Sequence, residues 1–389
     1  MSPNLYSIFS IADIALAGDF KEDQNQIDQK FPLVLLFCSN CRVIQIDQTI
    51  DLNRLFNTYS FSSSTIPSLV EHFNGYAKWL EDRVNPKSVL EVGCNDGILL
   101  KPLSERDIKV FGVDMSTNIG ELAREKGFDV KSIKFGLEQI EPLKAWLTSV
   151  DLITASNAFP HNDDPNGFLQ TARKLLAPEG TLALEVMYAG SLKQELQWDT
   201  IYHEHLHIHS LTSLKFLLEQ NGFYLTSAEI IPMHAGSLRI TASLKNEGMD
   251  ESCSRILENE EALGLNTIES WLQFEQDCYQ SIENCKKELI EISRHSRIWA
   301  YGASGRASMW LNAAGLDFIE KIVDASILRA GRFMPGMSTP IVFPQEFDES
   351  QPEFTLITAW NYAERIMSQH PNYKGKWIVP LPEFRVLNP

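Results

Sequence analysis

A chain of 389 residues exceeds what one hydrophobic core serves, because domains run to roughly 100–200 residues, so two or three domains are expected. An apolar fraction of 44% with 22% charged residues excludes a disordered chain. A net charge of −17, with no basic run or aromatic-interleaved basic stripe, argues against nucleic acid as a partner and repels anionic ligands unless a local positive patch or aimed backbone N–H groups receive them.

From Met1 to about Ser64 the sequence is irregular and reads as a small N-terminal module, residues 1–64, in which FPLVLLFCSNCRVIQI suggests two short strands around a Cys-Ser-Asn-Cys turn. Its longest apolar run, Phe31 to Phe37, falls far short of the about 20 residues that span a bilayer. The N-terminus lacks a basic region and Asp13 interrupts its apolar stretch, so no secretory leader is expected and the cytoplasm is the expected location. Six scattered cysteines make no disulfide framework. Cys38 and Cys41 form half of a zinc site, but four ligands are the rule and no second pair exists, so no bound metal is expected.

Residues 66–86 show helical spacing in Leu69, Phe73, Tyr76, Ala77 and Leu80, ending before Asn85-Pro86. Between Ser88 and about Ser243 the apolar runs SVLEV, KVFGVD, VDLITAS and GTLALEV alternate with helical stretches, the pattern of a parallel sheet, which gives a central domain over 65–245. From Glu251 to Ile292, apolar residues including Ile268, Leu272, Cys278, Tyr279, Ile282, Cys285, Leu289 and Ile292 recur at three and four, which predicts an amphipathic connecting helix. A second strand-glycine-helix unit begins at Arg297 and is followed by KIVDAS, FTLITAW and KWIVPLP. The fold class is therefore α/β: a small N-terminal module, a central Rossmann-like domain, and a helical connector leading into a second Rossmann-like domain over 246–389.

In VLEVGCNDGILL, Gly93 and Gly97 permit a tight turn from strand to helix, Glu91 precedes them, and Asp114 ends the next strand, where an acid accepts from ribose hydroxyls. A nicotinamide site wants a second glycine where Asn95 stands, so a pyrophosphate could not approach; S-adenosyl-L-methionine has none and fits the looser turn. Asp96 and Asn157 complete the expected cofactor set. The plain alternative is a strand-to-helix turn with an incidental Asp. DTIYHEHLHIHS gathers Tyr202, Glu204 and four histidines. On a strand His203, His205, His207 and His209 would share one face and suggest a metal, whereas on a loop only one or two would converge; acid/base catalysis and a polar surface strand are the other readings. Gly302, Gly305 and Arg306 in WAYGASGRASM suit a phosphate at a helix N-terminus, or a structural turn.

Together with FCSNCRVIQ, YSFSSST, FGVDMS, SNAFPHNDD, LEVMYAG, HAGSLR, GRFMPGMSTPI, TAWNYAERI and WIVPLP, these stretches resemble the sugar C-methyltransferases that act on nucleotide-linked 4-keto-deoxysugars, over nearly the whole chain. That resemblance implies a class I methyltransferase domain between a small zinc-binding N-terminal domain and a C-terminal domain that helps hold the nucleotide-sugar. It places Tyr202, Glu204 and His205 at the sugar with His205 as base, and puts His161 and Tyr59 facing the substrate. Three departures stand out. The family's first cysteine pair, which precedes a stretch like IADIALAGDF, is missing. His207 and His209 replace a small polar and an aromatic residue, and AYGASGRAS replaces a Pro-Ala-Lys-Gly-like loop. The implied reaction is proton removal beside a ketone by His205, with Tyr202 or His161 donating to the enolate oxygen, and methyl transfer to that carbon. Methylation of a non-sugar or oxygen acceptor, and nucleotide binding without catalysis, are the rival expectations.

Overall fold

The strand-and-helix alternation after Ser88 closes into a seven-stranded sheet in the computed structural model, which describes residues 4–56, 59 and 62–388. Ser60 and Phe61 of the YSFSSST tract lie outside the described residues. Strand Ser88–Val92 pairs in parallel with Lys109–Val113 on one side and Val150–Ser156 on the other. Strand order thus reverses at Ser88–Val92, and a crevice opens beyond its carboxyl end. Leu176–Met187 continues the sheet in parallel, and Ser237–Ser243 runs antiparallel between it and the edge strand Tyr224–Ile231. Helices cover both faces, which is why Val89, Leu90, Leu152, Ile153, Leu182 and Leu184 are all buried.

The C-terminal sheet repeats the plan. Ile298–Tyr301 lies between Ile322–Val323 and Phe354–Ile357, parallel to both; Ile341–Val342 and Lys376–Val379 extend it in parallel, and Arg385–Leu387 closes it antiparallel. A second order reversal follows Tyr301. The segment between the two sheets forms two helices rather than the one expected. Glu251–Ala262 and Ile268–Ser293 are separated at Gly264, whose φ of 69° ends the first. Trp271, Phe274, Cys278, Ile282, Cys285 and Leu289 form the buried stripe of the second, while Leu272 and Tyr279 from the periodic set are exposed.

At the N-terminus, Leu5–Ala15, Lys30–Cys38 and Ile44–Ile46 form an antiparallel sheet that the two-residue strand His207–Ile208 completes. Its inner face is packed against the connector: Phe9 lies 6.5 Å from Phe274 and Phe37 6.3 Å from Trp271, ring centre to ring centre. This sheet and the C-terminal unit share one continuous apolar core. Among the described residues no helix is long and apolar enough to cross a membrane, and no group of three or more His, Cys, Asp or Glu is placed to hold a metal ion.

Candidate active site

Both order reversals open into one cavity of about 710 Å³. At the first, Gly93 adopts φ 73°, and a Cβ there would lie 2.3 Å from Cβ of Ala158, so this turn requires glycine. Asp114 accepts from the backbone N–H of Asn95 (2.9 Å) and of Ser116 (2.8 Å). The second reversal copies it: Asp324 accepts from Ala303 N–H (2.9 Å) and Ser326 N–H (2.8 Å).

Acid accumulates at the first turn. Burial, and then the Asp114 carboxylate, push the Glu91 carboxyl well above its ordinary value, and burial raises Asp114 against its two backbone donors. Glu91 Oε2 and both side-chain polar atoms of Asn157 are buried without a hydrogen-bond partner. Orphaned acceptors among uncompensated acids call for a ligand that brings positive charge and donors. A sulfonium cofactor with an ammonium and ribose hydroxyls meets that description, so the residues present fit the cofactor expected from the sequence. Glu91, Gly93, Asn95, Asp114 and Asn157 line the cavity.

Asp96 and Gly97, expected in the same set, do not. The Asp96 carboxylate is spent on Ser62 Oγ (2.8 Å), Ser64 Oγ (2.9 Å), Ser64 N–H (3.2 Å) and Lys126 (3.3 Å), tying the segment before the helix Pro67–Val84 to the glycine turn. Gly97, at φ 83°, instead makes room for the Phe128 ring, 2.7 Å from where a Cβ would sit.

Of the histidine cluster, only His205 reaches the cavity. Residues 201–206 form a loop, so the alternating side chains diverge. His203 turns away and bonds the Pro32 carbonyl at 3.0 Å. His207 and His209 converge on each other at 2.7 Å; His207 also bonds the Asn162 carbonyl (3.1 Å) and His209 the Ser213 hydroxyl (3.1 Å). His205 donates Nδ1–H to the Thr200 carbonyl at 2.6 Å. A carbonyl only accepts, so Nδ1 carries the proton and Nε2 keeps its lone pair. Burial, then the neighbouring His161, hold His205 well below its ordinary pKa and therefore neutral.

The rest of the expected substrate set surrounds this ring. Tyr202 lies 4.0 Å from it, ring centre to ring centre, and His161 meets it edge-on at 5.1 Å with a buried, unpartnered Nδ1. Glu204 is buried against Gly18 of the N-terminal module, and burial, with Asp19 nearby, pushes its carboxyl up to about 7. Tyr59 lines the cavity with its backbone clasped by Asn118 (3.0 and 2.9 Å). Gly302 and Arg306 line the far end, but the guanidinium is committed to the buried Asp199 at 2.7 Å rather than held out for a phosphate. Sequence reasoning missed Asp199, although it stands at the head of the DTIYHEHL tract, and missed Ser304, whose hydroxyl at the helix N-terminus is buried without a partner.

Residues 71–228 match the family model of a methyltransferase domain, and residues 232–382 that of the C-methyltransferase C-terminal domain. The C-methyltransferase NovU of Streptomyces niveus is 27% identical over 98% of this chain and 94% of its own length. A ubiquinone biosynthesis O-methyltransferase of Haemophilus ducreyi is 30% identical, over 26% of this chain and 45% of that protein. Among solved structures, a SAM-dependent methyltransferase from Archaeoglobus fulgidus is similar at 19% identity and a TM-score of 0.37, covering 44% of this chain and 93% of that one.

Proposed function

Because this chain is an S-adenosylmethionine-dependent C-methyltransferase, we propose that its acceptor is a nucleotide-linked keto-deoxysugar, methylated on the carbon beside the ketone. The observation that carries this reading is the orientation of His205: Nδ1–H fixed on the Thr200 carbonyl, Nε2 bare, on a ring that lines the cavity. A neutral imidazole so held is a base for a carbon acid. His205 Nε2 takes the proton, and the electron pair left behind delocalises onto the ketone oxygen. Tyr202 and His161, both packed against the ring, are the donors for that oxygen, and losing one such donor typically costs about 10²–10³ in rate. When bound, the cofactor supplies an electrophilic methyl on sulfur; Glu91, Asn157 and Asp114 are the residues that would hold it.

The nucleotide end is assigned to the second reversal. In support, the helix Gly305–Ala313 points its N-terminus at the cavity, Ser304 Oγ is an unpartnered donor beside it, and Arg365 lines the same wall without an ion pair among the described residues. These groups form the local positive site that a chain of net charge −17 needs for an anion. Incubating the enzyme with methyl-labelled cofactor and a panel of keto-sugar nucleotides should yield a product in which one labelled methyl group has replaced one hydrogen, read by mass, with the new methyl bonded to carbon by NMR. A methyl on oxygen, or turnover only with acceptors lacking a nucleotide, would overturn the reading.

A further inference from the structure

The loop that carries the base is clamped from the neighbouring α/β unit. Asp199 is fully buried, and its carboxylate accepts from Arg306 Nη1 (2.7 Å), Trp310 Nε1 (3.1 Å) and Trp360 Nε1 (2.7 Å), all C-terminal to the connector. The guanidinium also reaches Gln197 Oε1 (3.3 Å) and the His234 carbonyl (3.1 Å), and lies over the Trp360 ring at 5.0 Å. Trp198 packs its ring against Trp310 at 4.4 Å. The turn Trp198–Thr200 is thereby fixed from outside its own domain, and Thr200 is the residue whose carbonyl receives His205 Nδ1–H. One position before Arg306, Gly305 lets the Tyr202 ring lie flush, since a Cβ there would sit 2.6 Å from it.

We propose that Asp199 is the positioning residue of the base: by anchoring the Trp198–Thr200 turn to Arg306, Trp310 and Trp360 it fixes the Thr200 carbonyl, and through it the ring orientation and the Nδ1–H tautomer of His205. This rests on His205 being the base. Free histidine prefers its proton on Nε2, the tautomer that has no lone pair to offer the cavity, so the carbonyl must stay in place for the ring to be competent. A backbone carbonyl on a short turn rotates readily unless its neighbours are held. Asp199 supplies the hold, with one cationic and two indole donors converging on a carboxylate that water does not reach.

The test uses the full chain labelled with ¹⁵N-histidine and saturated with S-adenosylhomocysteine, with the His205 ring signals identified by their loss in His205→Asn. Wild type is expected to show Nδ1 protonated and Nε2 bare. In Asp199→Asn the pattern should shift toward mixed tautomers. With whichever keto-sugar nucleotide the wild type methylates, kcat should fall about 10²-fold, the scale of a small misplacement, at near-normal KM and S-adenosylhomocysteine affinity. Should that variant fail to fold, Trp360→Phe removes one donor without stranding a charge, and should give a smaller tautomer shift and kcat loss. An unchanged His205 tautomer and kcat in Asp199→Asn, with only the melting temperature lowered, would reduce Asp199 to a tie between domains. If His205→Asn itself keeps its turnover, the reading of the base fails instead, whatever the spectra of Asp199→Asn show.

Discussion

Glu204 carries the charge question at the residue scale, because it is a carboxyl buried beside Gly18 and Asp19 that titrates at about 7 instead of the ordinary 4.5. A raised carboxyl pKa in the folded state means the fold is penalised once the unfolded chain ionises. The penalty is absent below about 4.5, grows as pH rises, and is complete above about 7. Glu204→Gln should therefore raise stability by about 3 kcal/mol at alkaline pH and leave it unchanged at pH 4; equal melting shifts at both ends would contradict the burial argument. His205 shifts the other way, so its neutral form persists into acid, and the acid-side loss of activity should fall below the ordinary histidine value of 6.5. A midpoint at or above that value that survives Glu204→Gln would be the contrary result. For the cofactor, Asp114→Ala should weaken S-adenosylhomocysteine binding at least tenfold by calorimetry, since two backbone donors aim this carboxylate where it lines the cavity. The density of titratable groups in sequence marked the tract from Tyr202 to His209 as a whole, and it was the family resemblance that singled out His205 within it. Asp199 was not legible, because a lone Asp ahead of a loop looks the same whether it meets solvent or three buried donors.

Among the elements, the glycine turns were legible because only φ above zero satisfies them, as at Gly93 and Gly302. The first N-terminal strand was not. Leu5–Ala15 carries register shifts between Ser7 and Phe9 and between Ile11 and Ile14, and each breaks the alternation of inward and outward side chains that announces a strand. The connector was read as one helix although every residue of the periodic set, Ile268 to Ile292, follows the break at Gly264, and Leu272 and Tyr279 fell in with that set by spacing alone. Tyr279 has its own use on the outer face, donating its hydroxyl to the Ser10 carbonyl at 2.8 Å. Asp96 offers a test at this scale. Removing its carboxylate frees Ser62, Ser64 and Lys126 together, so Asp96→Ala should open the 62–65 segment to protease while the sheet core stays protected. A digestion pattern identical to wild type would show that the clasp is dispensable.

In the whole molecule, the N-terminal sheet and the C-terminal α/β unit are one body energetically, since Leu35, Phe37 and Trp299 belong to the same apolar core. Leu35→Ala should then cost about 2–5 kcal/mol and lower the hydrogen-exchange protection of Ile298–Tyr301 and Lys376–Val379 along with that of Lys30–Cys38. Protection lost in the N-terminal strands alone would mean the shared core does not unfold as a unit. The sequence read as three consecutive modules, and nothing in its periodicity signals that the first packs against the last, because an apolar face does not name its partner. That arrangement has a bearing on how the protein is made. The strands that end at Cys38 leave the ribosome with their inner face bare, and the helix that covers it begins only at Ile268. At roughly 5–20 residues per second the nascent sheet waits on the order of 10–50 s for its cover, a window in which a holding chaperone, rather than the chain itself, must keep that surface from other nascent chains.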